Sequence, residues 1–175
     1  MTKRRGVWQG LARRRVHAVS RGAFHNALRL VPDDGDMMRF VAAVAEDQGR
    51  PITVLDCDLP SDAPSGLWLQ LAEADYIVCA RSVSAEHRRV VICHEIAHML
   101  LGHQPRDGAI DTSSIAPSID LDVAARFFTR HGYEDDVEAD AETLATVLAA
   151  ELSRRKSAAL AVLSRTQDNV SARLR

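Results

Sequence analysis

Residues 90–103 read VVICHEIAHMLLGH, an apolar stretch with two histidines and a glutamate in its middle. On a helix, residues four apart project side by side, so His94 and His98 can reach the same point in space. Glu95 turns about 100° away and flanks that point. Burying three ionisable side chains in such a run is costly unless something pairs with them. A metal ion does so. His94-Glu95-Ile96-Ala97-His98 has the H-E-x-x-H spacing in which two imidazoles hold Zn²⁺ and the glutamate takes a proton from the attacking water. The bland alternative is a partly exposed helix face carrying unrelated polar groups.

A catalytic zinc usually takes three protein ligands and keeps one position open. The helix therefore needs another donor. His103 is the local candidate, but in metzincins the third histidine follows the second by six residues, with a glycine three after the second. Here the spacing is five, and Leu101 stands where that glycine would be. His103 is instead expected to close the helix C-terminus, where a partly positive imidazole is favoured. A second source is the segment EDDVEADAETLATVLAAEL, which places Glu138, Asp140 and Glu142 at the start of a predicted helix. Glu138 and Glu142 are four apart and share a face, so one can bind the ion while the other supports a ligand histidine. The helix dipole alone favours acids in a first turn. That accounts for Asp135 and Asp136 better than for the acids continuing inward.

Around these segments the apolar pattern predicts an α+β chain. Val7, Leu11, Val16, Val19, Phe24, Leu28 and Val31 recur at roughly helical spacing and mark a basic N-terminal helical arm over 1–35. Asp36 is a candidate N-cap for a helix with Met37, Phe40, Val41 and Val44 on one face, stopped by Gly49. The period then shortens. Ile52–Leu55, Gly66–Leu71 and Tyr76–Ala80 read as three strands, the last two joined tightly through Ala74 and Asp75, which predicts a small, mainly antiparallel three-stranded sheet. Ser84 is a candidate N-cap for the H-E-x-x-H helix. Asp120 is expected to cap a short helix ending near His131-Gly132. A last helix runs from about Asp135 past Leu152, and 153–175 reads as a basic amphipathic tail on the same structural domain, whose core spans 36–152.

The chain has 175 residues, 46% of them apolar and 26% charged, enough for one domain with a real core and unlike a disordered chain. No run is long and apolar enough to span a membrane. Three scattered cysteines without a C-x-x-C pair argue against a disulfide framework, and the N-terminus lacks the pattern of a signal peptide, so a cytoplasmic protein is expected. Charge is uneven. Residues 1–30 carry eight Lys/Arg and no acid, whereas 31–150 carry 22 Asp/Glu against eight Arg. Basic ends can bind nucleic acid or an acidic partner. No DNA-binding motif accompanies them, so solvated helices lying on the acidic centre are the favoured reading over direct nucleic-acid binding.

HEIAHMLLGH, followed some forty residues on by Glu138-x-x-Ala141-x-x-Leu144-Ala145, resembles the ImmA/IrrE family of metallopeptidases, whose pattern is H-E-x-G-H and then E-x-x-A-x-x-F-A. The GRPITVL run and the three strands add to the likeness, which covers about residues 36–150. Ala97 replaces the usual Gly and Leu144 the usual Phe. The resemblance implies a zincin-like fold with His94, His98 and Glu138 as zinc ligands and Glu95 as general base, Glu142 remaining the alternative third ligand. It also implies cleavage of a specific protein, typically a helix-turn-helix repressor encoded separately, and a place in transcription-regulating or toxin–antitoxin-like pairs. A regulatory component that binds and sequesters a transcription factor without cutting it is the alternative.

Smaller signals carry less. His131 and Tyr133 precede the second motif and could stabilise an oxyanion, although a surface loop explains them more simply. Cys93 is expected in the core. His17, His25 and His87 have no partner pattern. The strand 76–80 is a candidate edge for pairing with an extended substrate.

Overall fold

A computed structural model of the chain describes residues 22–59, 63–103, 126–128 and 135–173. The elements in order are α1 (22–30), α2 (Met37–Gln48), β1 (Ile52–Cys57), β2 (Gly66–Gln70), β3 (Asp75–Ala80), α3 (Ala85–Leu100), β4 (Arg126–Phe128) and α4 (Asp135–Arg173). The chain is α+β, as its periodicities predict.

Local chemistry sets both ends of α2 and the start of α3. The Asp36 side chain accepts from the Arg39 N–H at 2.8 Å, and Gly49 closes α2 in the left-handed conformation. Each supplies a partner or a backbone shape that the terminal turn lacks. Ser84 does the same at the start of α3, accepting from the His87 N–H at 3.1 Å.

The sheet departs from expectation. Among the described residues it has four strands in the order β1-β3-β2-β4 and is mixed: β1 pairs with β3 in parallel, whereas β2 pairs antiparallel with both β3 and β4. The β2–β3 hairpin is the expected one. The parallel pair arises because β1 settles beside the far strand of that hairpin. An alternating apolar pattern specifies which face a residue occupies but not which strand lies next to it. β3 is therefore interior, and the expectation that strand 76–80 offers an edge to a substrate is corrected: among the described residues the edges are β1 and β4. β4 also falls where a helix running from Asp120 to about His131 was expected. Pairing with β2 overrides local preference there, since strand propensity depends strongly on context. The rest of that expected helix lies outside the described residues, as do residues 1–21 of the arm and both His131 and Tyr133.

Trp68, Ile77 and Cys79 on one face of the sheet join the main core, while Leu67, Leu69 and Val78 on the other form a second buried cluster. β2 is thus buried on both faces rather than half-buried. The main core is completed by Ala27 and Val31 from α1 and its exit, Phe40, Val41 and Val44 from α2, Ile92 and Ile96 from α3, and Ala141, Leu144, Ala145, Leu148 and Leu152 from α4. α3 lies between the sheet and α4, and every residue from Val91 to Met99 is buried. That placement explains why the buried stretch is apolar at every position except His94, Glu95 and His98.

Two polar anchors hold the periphery. The Arg50 guanidinium reaches the buried Asp75 carboxylate at 3.1 Å and the carbonyls of Leu71 and Ala72, tying the start of β1 to the β2–β3 turn. Arg155 on α4 donates to the Val31 carbonyl at 2.6 Å and pairs with Glu151 at 2.7 Å. Hydrogen bonds from Arg154 and Arg155 hold the Glu151 carboxyl down to about 2 from its ordinary 4.5. A carboxyl lowered by folding contributes stability above its ordinary value and loses it as pH falls toward the folded value. Acid unfolding of Glu151→Gln should therefore show a shallower loss between about pH 4.5 and 2. Solvent screening limits the difference to below ~1 kcal/mol, measurable by urea denaturation at several pH values.

Gly35 closes the turn between α1 and α2 with φ +63°, and a Cβ there would run into the Leu152 carbonyl and the Lys156 backbone of α4. Both the left-handed backbone and the close approach require glycine. Gly35→Ala should cost more than ~2 kcal/mol and lower the thermal midpoint by roughly 4–8 °C. An unchanged midpoint would show that the turn is not packed on α4.

Candidate metal centre

The middle of α3 is where the three ionisable residues of the motif are buried: His94 is 7% exposed, Glu95 5% and His98 2%. The four-residue spacing brings the two rings edge to face with centroids 4.7 Å apart, and their Nε2 atoms lie 3.0 Å from each other. Burial is the main reason that the His98 ring is pulled down to about 3, with His94 and His103 adding to it. At neutral pH His98 is therefore an uncharged imidazole with a nitrogen lone pair to offer.

The third side chain comes from the opening turn of α4. The stripe Ala141, Leu144, Ala145, Leu148, Leu152 seats α4 against α3, and Glu138 lies one turn before Ala141 on that same side. Its Oε1 is 3.1 Å from His94 Nε2 and its Oε2 is 3.6 Å from His98 Nε2. His94, His98 and Glu138 lie close enough together to bind a metal ion. Asp140 is half-buried, and Glu142 is exposed and stands apart from the group. Packing has separated acids that the sequence leaves as near equals.

The spacing fits an ion as well as a residue count does. Ligands at the ~2.0–2.2 Å typical of zinc with nitrogen and oxygen, arranged tetrahedrally, lie roughly 3.3–3.5 Å from one another. The two Nε2 atoms are 3.0 Å apart, and different oxygens of Glu138 lie 3.1 Å from His94 Nε2 and 3.6 Å from His98 Nε2, all close to that edge. Two imidazoles and one carboxylate suit zinc and its first-row neighbours, whereas calcium and magnesium favour all-oxygen sites.

Glu95 is beside this group rather than in it. With His94 it lines a small cleft closed by Pro64, Ser65 and Gly66 on one side and by His87, Val90 and Val91 of α3 on the other. A Cβ on Gly66 would collide with Val91, so the strand passes against α3 only because this residue has no side chain. At the cleft's rim the His87 ring meets the Ser65 hydroxyl at 3.1 Å, a partner for His87 that the sequence does not signal.

His103 does something other than what its sequence position suggests. Its backbone N–H donates to the His98 carbonyl at 3.0 Å, and Gly102, with φ +69°, turns the chain so that this bond can form. The helix end is thus closed by the backbone. The ring folds back until its Nδ1 lies 2.9 Å from His98 Nδ1. Burial lowers the His103 ring below its usual value, with the Asp140 carboxylate opposing. Cys93 is buried in the core, as expected, and burial pushes its thiol up to about 12.

No protein-family model, no curated protein and no solved structure matches the chain. Among the described residues, no helix is long and apolar enough to cross a membrane.

Proposed function

We propose that this chain is a zinc-dependent metallopeptidase of the ImmA/IrrE type that cleaves a specific protein. The observation that carries the reading is the convergence of His94, His98 and Glu138 within binding distance of one ion, with Glu95 next to His94 on the same helix. His94, His98 and Glu138 would hold the zinc ion, which when bound would supply Lewis acidity and lower the pKa of water from ~16 toward ~7. Glu95, buried at the edge of the cleft, takes the proton from the attacking water and returns it to the leaving amine. Exclusion of bulk solvent around His94, Glu95 and His98 strengthens each of these electrostatic interactions.

A carboxylate beside two ligand histidines favours an enzyme over a purely structural site, because a closed structural site takes four ligands and has no use for a base. The partner is a helix-turn-helix repressor encoded separately, in keeping with the resemblance to ImmA/IrrE enzymes, and the setting is cytoplasmic. The test is to look for a helix-turn-helix protein encoded beside this chain and to mix the two purified proteins with zinc and with chelator. Shorter repressor fragments that vanish with chelator support the peptidase. A stable intact complex that survives chelation would replace it with sequestration.

A further inference from the structure

We infer that His103 is a positioning residue for the metal centre: its Nδ1 accepts the Nδ1–H of His98 and thereby fixes that ligand's tautomer and ring plane. The inference rests on the metal-centre reading above and deepens it.

A neutral imidazole has one N–H and one lone pair. At His98, Nε2 points into the group formed with His94 and Glu138, at 3.0 and 3.6 Å. If Nε2 is to offer its lone pair to an ion, the proton of His98 has to sit on Nδ1. That nitrogen lies 2.9 Å from His103 Nδ1, a hydrogen-bond distance. Only one of the two facing nitrogens can carry the shared proton, so His98 donates, His103 accepts, and His103 carries its own proton on Nε2. The two rings are inclined at 62° with centroids 5.0 Å apart.

The chain goes to some length to place this acceptor. Gly102 takes a left-handed conformation, and the His103 N–H returns to the His98 carbonyl, so that backbone and ring of the same residue both engage His98. Ligand histidines usually give their second nitrogen to a carboxylate or a carbonyl, and loss of that partner typically costs 10–100-fold in metal affinity. Here a second histidine fills the part. The spacing of five that excludes His103 as a ligand of the metzincin kind is what allows it to reach the far side of the ligand ring.

The experiment uses the full chain and reads the metal rather than peptide cleavage. Zn²⁺ affinity is measured by competition with a chromogenic chelator, and the Co²⁺ form is followed by its visible spectrum. His103→Ala should weaken Zn²⁺ binding by 10–100-fold and alter the Co²⁺ spectrum. His103→Asn, whose amide oxygen occupies nearly the place of the lost Nδ1, should recover binding to within a few-fold of the unmodified chain. Thermal midpoints of the metal-free proteins should stay within a few degrees of one another, which separates positioning from a general loss of structure. Equal affinity for His103→Ala and the unmodified chain would overturn the role. So would His103→Asn binding as weakly as the alanine variant, which is the result expected if His103 were itself a ligand. Failure of the unmodified chain to bind either ion would overturn the metal-centre reading together with this one.

Discussion

Glu95→Gln should retain zinc and lose cleavage. The amide keeps nearly the shape of the carboxylate but cannot take a proton, so the substitution removes general-base chemistry and little else. Positioned acid–base groups contribute typically 10²–10⁴-fold to rate, so cleavage of the repressor should fall by at least ~100-fold. Because Glu95 is not among the three converging side chains, zinc affinity should stay within a few-fold. Cleavage is read by gel and mass spectrometry, and zinc by chelator competition on the same preparations. Cleavage at the unmodified rate would remove Glu95 from the mechanism. Simultaneous loss of zinc would mean that this carboxylate belongs to the metal's own ligand set.

Glu138→Ala should have the largest effect on metal binding. It removes one of three donors, so the loss should exceed the ~10–100-fold that a supporting partner costs. Zinc should also cease to stabilise the protein. A ligand present at 1,000 times its dissociation constant contributes about 4 kcal/mol, a rise in thermal midpoint that the unmodified chain should show and Glu138→Ala should not. Glu142→Ala is the control, because Glu142 is exposed and apart from the group, and it should leave zinc affinity unchanged. The reverse result, with Glu142→Ala abolishing binding and Glu138→Ala tolerated, would assign the third ligand to the other acid.

The contrast between these two acids shows how far local pattern reaches. Glu138 and Glu142 sit on one helix, four residues apart, and both are reasonable ligands by spacing. The choice is made by the stripe from Ala141 to Leu152, whose burial against α3 rotates Glu138 toward the histidines and leaves Glu142 toward solvent. The stripe itself is legible in the sequence, but the element it meets is not. His103 is a similar case. Its spacing rules it out as a metzincin-type ligand, yet nothing local says that a left-handed Gly102 will swing its ring back onto His98.

Strand order follows the same logic. Alternation in Gly66–Leu71 and the β-type run Tyr76–Ala80 predict strands, and the short connection between them predicts an antiparallel pair, which is what forms. Placing β1 in parallel beside β3, and β4 on the far side of β2, depends on contacts between segments distant in sequence. Hairpins are specified by their turn, whereas parallel neighbours have no local signature.

The sequence by itself determined what neighbours along the chain can settle. The caps at Asp36, Ser84 and Gly49, the pairing of His94 with His98 across one helical turn, and the misfit of His103 to the metzincin pattern all follow from spacings of five residues or fewer. Tertiary structure alone decided that Glu138 is the side chain that arrives, that β3 is interior, and that His103 buttresses His98 from behind. Those outcomes depend on how apolar faces are laid against one another, and the hydrophobic effect that drives such packing is not directional. A face can be read from a periodicity; its partner is chosen only when the whole core closes.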